Sequence, residues 1–208
     1  MSNLPALLFG GAFNPPTKAH IHLAELALTE TGRRQVIFMP SKSRYIEEDQ
    51  GKDFAYSEEK RLALLNSAAS DRPWMRVSDW EIRQERQPRT YETLCHLREE
   101  GVDCAMLIGS DKLRELDGGW KYVPEIAREF GIVCLYRGQD DCEAVIRESR
   151  VLRPLRERIQ LVRTPEGTKN VSSSEVRRRV AELRRLTGEL EALLPEGINV
   201  QMLTEADR

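Results

Sequence analysis

A chain of 208 residues is long enough for one well-packed domain, and its formal net charge of −2 excludes the strongly basic class of general nucleic-acid binders. Its 40% hydrophobic and 32% charged residues are typical of a globular protein, and no apolar run reaches the roughly 18 residues of a membrane helix. Four cysteines without a Cys-x-x-Cys pair, and only three histidines, argue against a zinc site. We therefore expect reduced thiols and a cytoplasmic location. The length of the chain predicts a single domain over residues 1–208.

Apolar runs and helix-period segments alternate along the chain. Strands are predicted at residues 6–9, 35–40, 75–82, 102–111 and 131–138, and a further helix–strand pair at about 140–163. Helices are predicted at about 18–31, 57–70, 91–100, 120–130 and 173–191, whereas the polar stretch 41–56 is expected to be a long loop. This order predicts an α/β fold, a Rossmann-like parallel sheet with helices on both faces.

Glycine and charged residues cluster where the predicted strands end, at residues 10–16, 40–44, 109–111 and 136–138. In open parallel sheets, ligands bind beyond the carboxyl ends of the strands. We therefore expect the functional site at this edge of the sheet.

The first motif is GGAFNPPTKAH, residues 10–20. Two glycines at a strand end allow a ligand to approach the backbone closely, and Thr17 can begin a helix whose free amides favour an anion. His20 would lie on the first turn of that helix, near the same ligand. The alternative is a capped turn with a surface histidine, and spacing alone does not separate the two.

The second motif is VSSSEVRRRV, residues 171–180. Ser172 and Glu175 fit a capping box, which requires no function. The adjoining serines and Arg177 could add hydroxyl groups and a guanidinium to the free amides, which together would bind phosphate. The alternative for these charges is a solvated helix face.

The third motif is GSDKL, residues 109–113, followed by Trp120. Asp111 could accept hydrogen bonds from ribose hydroxyls, and Trp120 could stack on a flat ring. A helix cap and core packing are the alternatives. The chain contains no P-loop, no GxGxxG fingerprint and no GxSxG elbow.

Taken together, these segments resemble the nicotinamide/nicotinate mononucleotide adenylyltransferases of the nucleotidyltransferase superfamily. GGAFNPPTKAH is similar to the opening motif of that family, and VSSSEVR to its closing motif. Between them, DWEIRQERQPRTYETL, LIGSDKLRELDGGWKYVPEI and GIVCLYRG match further elements in the same order. Thr17 replaces a histidine that is common in bacterial members, and Ala19 replaces a glycine.

The resemblance implies that His20, Thr17 and Arg177 are the catalytic residues that bind the phosphates of ATP. It implies a basic phosphate ligand after Pro40, for which Lys42, Arg44 and Lys52 are all candidates. The remaining nucleotide-binding residues that it implies are Gly10, Gly11, Ala12, Phe13, Asn14, Gly109, Asp111, Arg137, Ser173 and Ser174, and Thr90, Thr93 and Trp120 would surround the pyridine ring.

The implied reaction transfers AMP from ATP to the mononucleotide and releases pyrophosphate, with Mg²⁺ on the phosphates and no metal site of the protein itself. The implied partners are these small molecules, with neither nucleic acid nor membrane, and a homo-oligomer is left open. Two alternatives remain: a related enzyme such as a cytidylyltransferase with another phosphorylated acceptor, and a nucleotide sensor without turnover.

Overall fold

The computed structural model describes residues 5–48, 55–165 and 172–191, in which strands and helices alternate. The strands are β1 (Ala6–Gly11), β2 (Gln35–Pro40), β3 (Met75–Val77), β4 (Cys104–Gly109), β5 (Ile132–Tyr136) and β6 (Ile159–Arg163). The helices are α1 (Lys18–Thr31), α2 (Ser43–Glu48), α3 (Glu58–Ala69), α4 (Trp80–Arg83), α5 (Thr90–Glu99), α6 (Ser110–Glu115), α7 (Val123–Glu129), α8 (Cys142–Glu148) and α9 (Ser173–Glu191), with a 3-10 helix at Arg153–Arg158.

The six strands form one sheet in the order β3-β2-β1-β4-β5-β6, and every neighbouring pair is parallel. The chain runs from β1 outwards to β2 and β3, and then returns to place β4 on the other side of β1. This order is that of the Rossmann fold, in which the reversal opens a crevice beyond β1 and β4. The predicted fold class is confirmed.

Both faces of the sheet are buried under helices. Leu8, Ile37 and Met106 pack on one face with apolar residues of α5, α6 and α7. Leu7 and Phe38 pack on the other face with residues of α1 and α3. Two-sided burial accounts for the continuously apolar strands, because neither side of such a strand meets water.

Several element predictions are wrong in extent, and three of them concern segments next to the carboxyl ends of the strands. The strand predicted at 75–82 ends at Val77, because β3 pairs with β2 at only three positions before the chain turns into α4. The strand predicted at 102–111 ends at Gly109, after which α6 begins. The loop predicted at 41–56 contains α2, whose Ile46 is fully buried, and its residues 49–54 lie outside the described part of the chain.

Within the described ranges, none of the helices is both long enough and apolar enough to cross a membrane.

Candidate functional site

A cavity of about 930 Å³ lies over the carboxyl ends of β1, β4 and β5, at the point where the strand order reverses. This is the position that the sequence predicted for a ligand. Polar and charged side chains from several separate segments of the chain line it. They include His20, Ser41, Tyr45, Glu81, Gln87, Thr90, Asp111, Lys112, Tyr136, Arg137 and Thr164, beside the backbone of Gly10, Gly11, Ala12 and Gly109 and the ring of Trp120.

The turn after β1 is shaped by Phe13, which has a left-handed φ of 42° and a side chain that is 2% exposed. Its ring packs edge-on against Phe9, with the centroids 5.4 Å apart. Burial of the ring holds the backbone in a conformation that residues other than glycine seldom adopt. A Cβ atom at Gly10 would meet no protein atom within 4 Å, so the space beside this glycine belongs to the cavity.

His20 is held in one orientation by the first turn of α1. Its Nδ1 accepts the backbone N–H of Thr17 at 3.0 Å and lies 2.8 Å from Thr17 Oγ1. Since Nδ1 acts as an acceptor, the neutral imidazole carries its proton on Nε2. The ring lines the cavity and packs against Phe13. His20 therefore contributes an N–H donor whose direction is fixed.

Thr17 contacts His20 and is not part of the described cavity wall. Its side chain is 7% exposed, and its hydroxyl makes the contact with His20. The structure thus places Thr17 where it orients the imidazole. A direct contact between Thr17 and phosphate stays a prediction.

The closing motif contacts the turn of the opening motif. Arg177 Nη1 donates to the carbonyl of Asn14 at 2.6 Å, and Ser173 Oγ donates to the carbonyl of Pro15 at 2.8 Å. The second arm of Arg177 lies 3.1 Å from Ser174 Oγ. Two segments about 160 residues apart in sequence are therefore joined.

Arg177, Ser173, Ser174 and Asn14 are not among the described residues that line the cavity, although Arg177 and Ser173 bind the turn that follows Phe13. Asn14 is 1% exposed, and its Oδ1 accepts the N–H of Tyr56. The structure brings these predicted residues next to the site. Their contact with phosphate stays a prediction.

The opposite side of the cavity is formed by α6 and the turn after β5. A Cβ at Gly109 would lie 2.6 Å from Asp111 Oδ1, so only glycine allows this position of the carboxylate. Asp140 accepts hydrogen bonds from Ser110 Oγ at 2.7 Å and from the N–H of Arg137 at 3.2 Å. These bonds lower the pKa of Asp140 and hold the turn that carries Arg137.

Trp120 and Thr90 also line the cavity, as predicted, and Thr90 is the first residue of α5. Thr93 does not line it. The Thr93 side chain is fully buried, and its Oγ1 donates to Glu81 Oε1 at 2.6 Å. The prediction that Thr93 touches the pyridine ring is not supported by this position, which is one helical turn behind Thr90.

Neither of the two described basic candidates after Pro40, Lys42 and Arg44, lines the cavity. Lys42 Nζ donates to the carbonyls of Ile82 and Gln84, which directs it into the protein. Arg44 is an exposed residue of α2 and is absent from the described cavity wall. Lys52 lies outside the described residues.

Arg61 is a buried residue next to the site that the sequence did not single out. It is fully buried, and it donates to the carbonyls of Ala12 at 2.8 Å, Ser41 at 2.6 Å and Tyr56 at 3.1 Å. It therefore joins the turn after β1, the end of β2 and the start of α3. Burial lowers the pKa of Arg61, which is the cost of removing a guanidinium from water. Its place beside Leu65 on the apolar side of α3 was the signal available in the sequence.

Glu81, Tyr45 and Gln87 are further cavity residues that the sequence did not single out. Glu81 is 6% exposed, and burial raises the pKa of its carboxyl to about 7. The position of Glu81 between Trp80 and Ile82 is the signal in the sequence that could have indicated its burial. Nothing in the sequence marks Tyr45 or Gln87.

No cluster of three or more His, Cys, Asp and Glu side chains suited to a metal ion occurs among the residues that the structure describes. Asp111 is an exposed carboxylate at the cavity. A single carboxylate can join the shell of a hydrated cation but does not form a cage.

Comparison with known proteins gives consistent matches. The family model described as cytidylyltransferase-like matches residues 8–179. A protein of Lachnoclostridium phytofermentans named probable nicotinate-nucleotide adenylyltransferase is 33% identical, over 84% of this chain and 86% of its own length. One of the same name from Neisseria meningitidis serogroup C is 30% identical, over 84% and 86%.

A plant relative, the nicotinamide/nicotinic acid mononucleotide adenylyltransferase of Oryza sativa, is 28% identical over 82% of this chain and 74% of its own length. Among solved structures, Plasmodium falciparum nicotinic acid mononucleotide adenylyltransferase complexed with NaAD aligns with a TM-score of 0.63. That alignment covers 84% of this chain and 82% of that chain, at 17% identity. At this identity the structural match supports the fold alone.

Proposed function

Because this chain belongs to the cytidylyltransferase-like family and, within it, to the nicotinate-nucleotide adenylyltransferases, we propose that it transfers AMP from ATP to nicotinate or nicotinamide mononucleotide. The products are the corresponding dinucleotide and pyrophosphate. The observation that carries this proposal is the cavity at the switch point, which has an oriented imidazole on one side and an indole ring on another.

The ATP half of the site is proposed to comprise the turn after β1, His20, Asp111 and Arg137. Open space beside Gly10 lets a phosphate approach the backbone, and His20 offers Nε2–H to it. Asp111 can accept hydrogen bonds from ribose hydroxyls, since its carboxylate lies at the cavity. Arg177 would act through the carbonyl of Asn14, or by turning towards phosphate when ATP binds.

The acceptor half is proposed to comprise Trp120 and the start of α5. An indole can stack on a pyridine ring, and Thr90 adds a hydroxyl beside it. This assignment places the acceptor phosphate between the two halves, where it can meet the α-phosphorus of ATP.

The chemistry requires no general base. A phosphate monoester has a second pKa near 6, so the acceptor is already largely ionised at neutral pH. One of its oxygens forms a bond to the α-phosphorus, and the bond from that phosphorus to the bridging oxygen of pyrophosphate breaks. Pyrophosphate leaves with both electrons of that bond. The protein therefore acts by positioning two anions in line and by stabilising negative charge with His20.

Mg²⁺ is proposed to enter on the phosphates of ATP, as part of the substrate. The described residues offer no carboxylate cage for a resident ion. When bound, the cation neutralises charge on the triphosphate.

We further propose a cytoplasmic enzyme that handles small molecules. All four cysteines are free thiols, and Cys104, Cys134 and Cys142 are buried as small apolar residues.

The proposal is tested by pyrophosphate release from ATP or CTP with a panel of acceptors: both pyridine mononucleotides, phosphocholine and pantetheine phosphate. We expect release only with ATP and a pyridine mononucleotide. Release with CTP or with another acceptor alone would replace the proposal by a different nucleotidyl transfer. Tight ATP binding without release would instead indicate a sensor.

A further inference from the structure

Glu81 is a buried carboxyl in the wall of the cavity that the reaction described above does not use. It lies on α4, is 6% exposed, and shares the wall with Gln87, Pro88, Thr90 and Trp120. This is the end of the cavity assigned above to the pyridine ring. Glu81 is therefore placed to influence which acceptor binds.

Two neutral side chains hold the carboxyl. Thr93 Oγ1 donates to Oε1 at 2.6 Å, and Gln87 Nε2 donates to Oε2 at 2.5 Å. Gln87 is itself oriented, because its Oε1 accepts the backbone N–H of Lys42 at 2.9 Å. A carboxylate has about four lone-pair sites, so two bonds leave it able to act on a ligand.

The described side chains provide no cation bound to this carboxyl. Lys42 Nζ, the cation beside Gln87, donates to the carbonyls of Ile82 and Gln84 instead. His96 of α5 stacks on Trp80, next to Glu81 in sequence, and its Nε2 lies 3.4 Å from Glu100. The other titratable groups on the cavity wall are His20, Tyr45, Asp111, Lys112, Tyr136 and Arg137.

Burial without a cation makes the ionised form of Glu81 unfavourable. Desolvation raises the pKa of Glu81 to about 7, although the hydrogen bonds from Thr93 and Gln87 act in the opposite direction. The carboxyl is therefore largely neutral below pH 7 and largely charged above it. The charge of the cavity wall at this end changes within the physiological range.

We propose that Glu81 determines acceptor specificity: in its ionised form it disfavours a pyridine mononucleotide that bears a carboxylate and favours one that bears a carboxamide. This inference rests on the proposed function. A carboxylate on the ring meets a like charge in a partly desolvated site, whereas an amide N–H can donate to Glu81. Protonated Glu81 removes the repulsion.

The measurement is the ratio of kcat/KM for the amide acceptor to kcat/KM for the acid acceptor, from pH 6 to pH 8.5. Both acceptors carry the same ribose and phosphate and meet the same ATP and His20, so the titration of those groups cancels in the ratio. The ring carboxylate stays ionised over this range. We expect the ratio to rise on the order of tenfold as the pH increases, which is the effect of a nearby unit charge at a partly screened site. The midpoint of this rise should lie near pH 7.

Glu81→Gln is the test variant, because the amide keeps both hydrogen bonds while it cannot ionise. Its nitrogen can donate to Thr93 Oγ1, and its oxygen can accept from Gln87 Nε2. The expected ratio is independent of pH. Glu129→Gln is the matched control, since Glu129 also accepts two side-chain hydrogen bonds, from Tyr91 and Arg98, but lies outside the described cavity wall. It should retain the wild-type slope.

Thr93→Val is a second variant, for use if Glu81→Gln does not fold. Loss of the Thr93 hydrogen bond raises the pKa of Glu81 further, so the midpoint of the ratio should move to higher pH. A ratio that is flat in the wild type, or one that keeps its slope in Glu81→Gln, overturns the inference while leaving adenylyl transfer intact. Absence of transfer to either acceptor at every pH contradicts the proposed function and the inference with it.

Discussion

Arg61 shows how one side chain can organise this site without lining the described cavity wall. Its guanidinium reaches carbonyls of three segments that are far apart in sequence: Ala12, Ser41 and Tyr56. A planar group with five donors can satisfy such a set, and a lysine ammonium cannot span it. Arg61 is therefore a positioning residue for the turn that carries Gly11 and Phe13.

Arg61→Ala should lower kcat by about 100-fold, because a shift of about 1 Å in a positioning element costs that much. Arg61→Lys should recover little of the loss. Guanidinium chloride at tens of millimolar should restore turnover in Arg61→Ala, measured by pyrophosphate release below the melting temperature of the variant.

Arg33→Ala is the matched control, because Arg33 donates to the carbonyl of Ala6 at the opposite end of β1. It should show neither the loss of turnover nor the rescue. A folded Arg61→Ala protein with wild-type kcat, or full recovery in Arg61→Lys, would rule out the positioning role.

Among single residues, we propose that His20 contributes most directly to the chemistry. His20→Ala should lower kcat by at least ~100-fold, which is the scale for loss of one preorganised donor. Single-turnover measurement with saturating ATP and mononucleotide checks the loss at the chemical step. His22, which is close in sequence but not in the described cavity wall, provides the control variant His22→Ala. Near-normal turnover in His20→Ala would remove the imidazole from the mechanism.

At the scale of elements, α9 bears on the site through its first turn. Ser173 and Arg177 fix this helix to the turn at Asn14 and Pro15. If phosphate binds at the turn as proposed, its binding is coupled to the position of α9. The closing motif could be recognised from sequence, but its contact with backbone carbonyls could not. Such carbonyls acquire their positions only when the turn has folded.

Arg177→Ala should raise KM for ATP by about tenfold or more, the usual value of a hydrogen bond from a charged group, with a smaller effect on KM for the acceptor. Steady-state kinetics in both substrates measures this difference. Arg178→Ala is the control, because Arg178 pairs with Glu175 on the exposed side of the same helix. Unchanged ATP kinetics in Arg177→Ala would refute the assignment.

The presence of a strand was most predictable where the sheet is buried on both faces. β1, β2, β4 and β5 are continuously apolar and were found, whereas β3 was predicted too long because it is a three-residue edge strand. Helix α2 was missed because tertiary contacts stabilise it. These contacts are the burial of Ile46 and the hydrogen bond from the Ser43 N–H to Glu58.

At the scale of the whole molecule, the strand order determines where the reaction can occur. Strands that alternate with helices predict a doubly wound parallel sheet, and that sheet places its ligands at the carboxyl ends. The location of the cavity was therefore predictable, as were His20, Asp111 and Trp120 on its wall. The positions of Thr93 and Lys42 were not, because each depends on a partner from another element, Glu81 in one case and the Ile82 carbonyl in the other.

The central claim is that the cavity at the switch point joins the AMP of ATP directly to a pyridine mononucleotide. ATP labelled with ³²P at the α-phosphorus, incubated with the protein and nicotinate or nicotinamide mononucleotide, follows this transfer. The label should appear in the dinucleotide in equal amount to the pyrophosphate released, and none should remain covalently bound to the protein. Label that appears in ADP or free AMP in place of the dinucleotide, or that is bound covalently to the protein, would contradict the account.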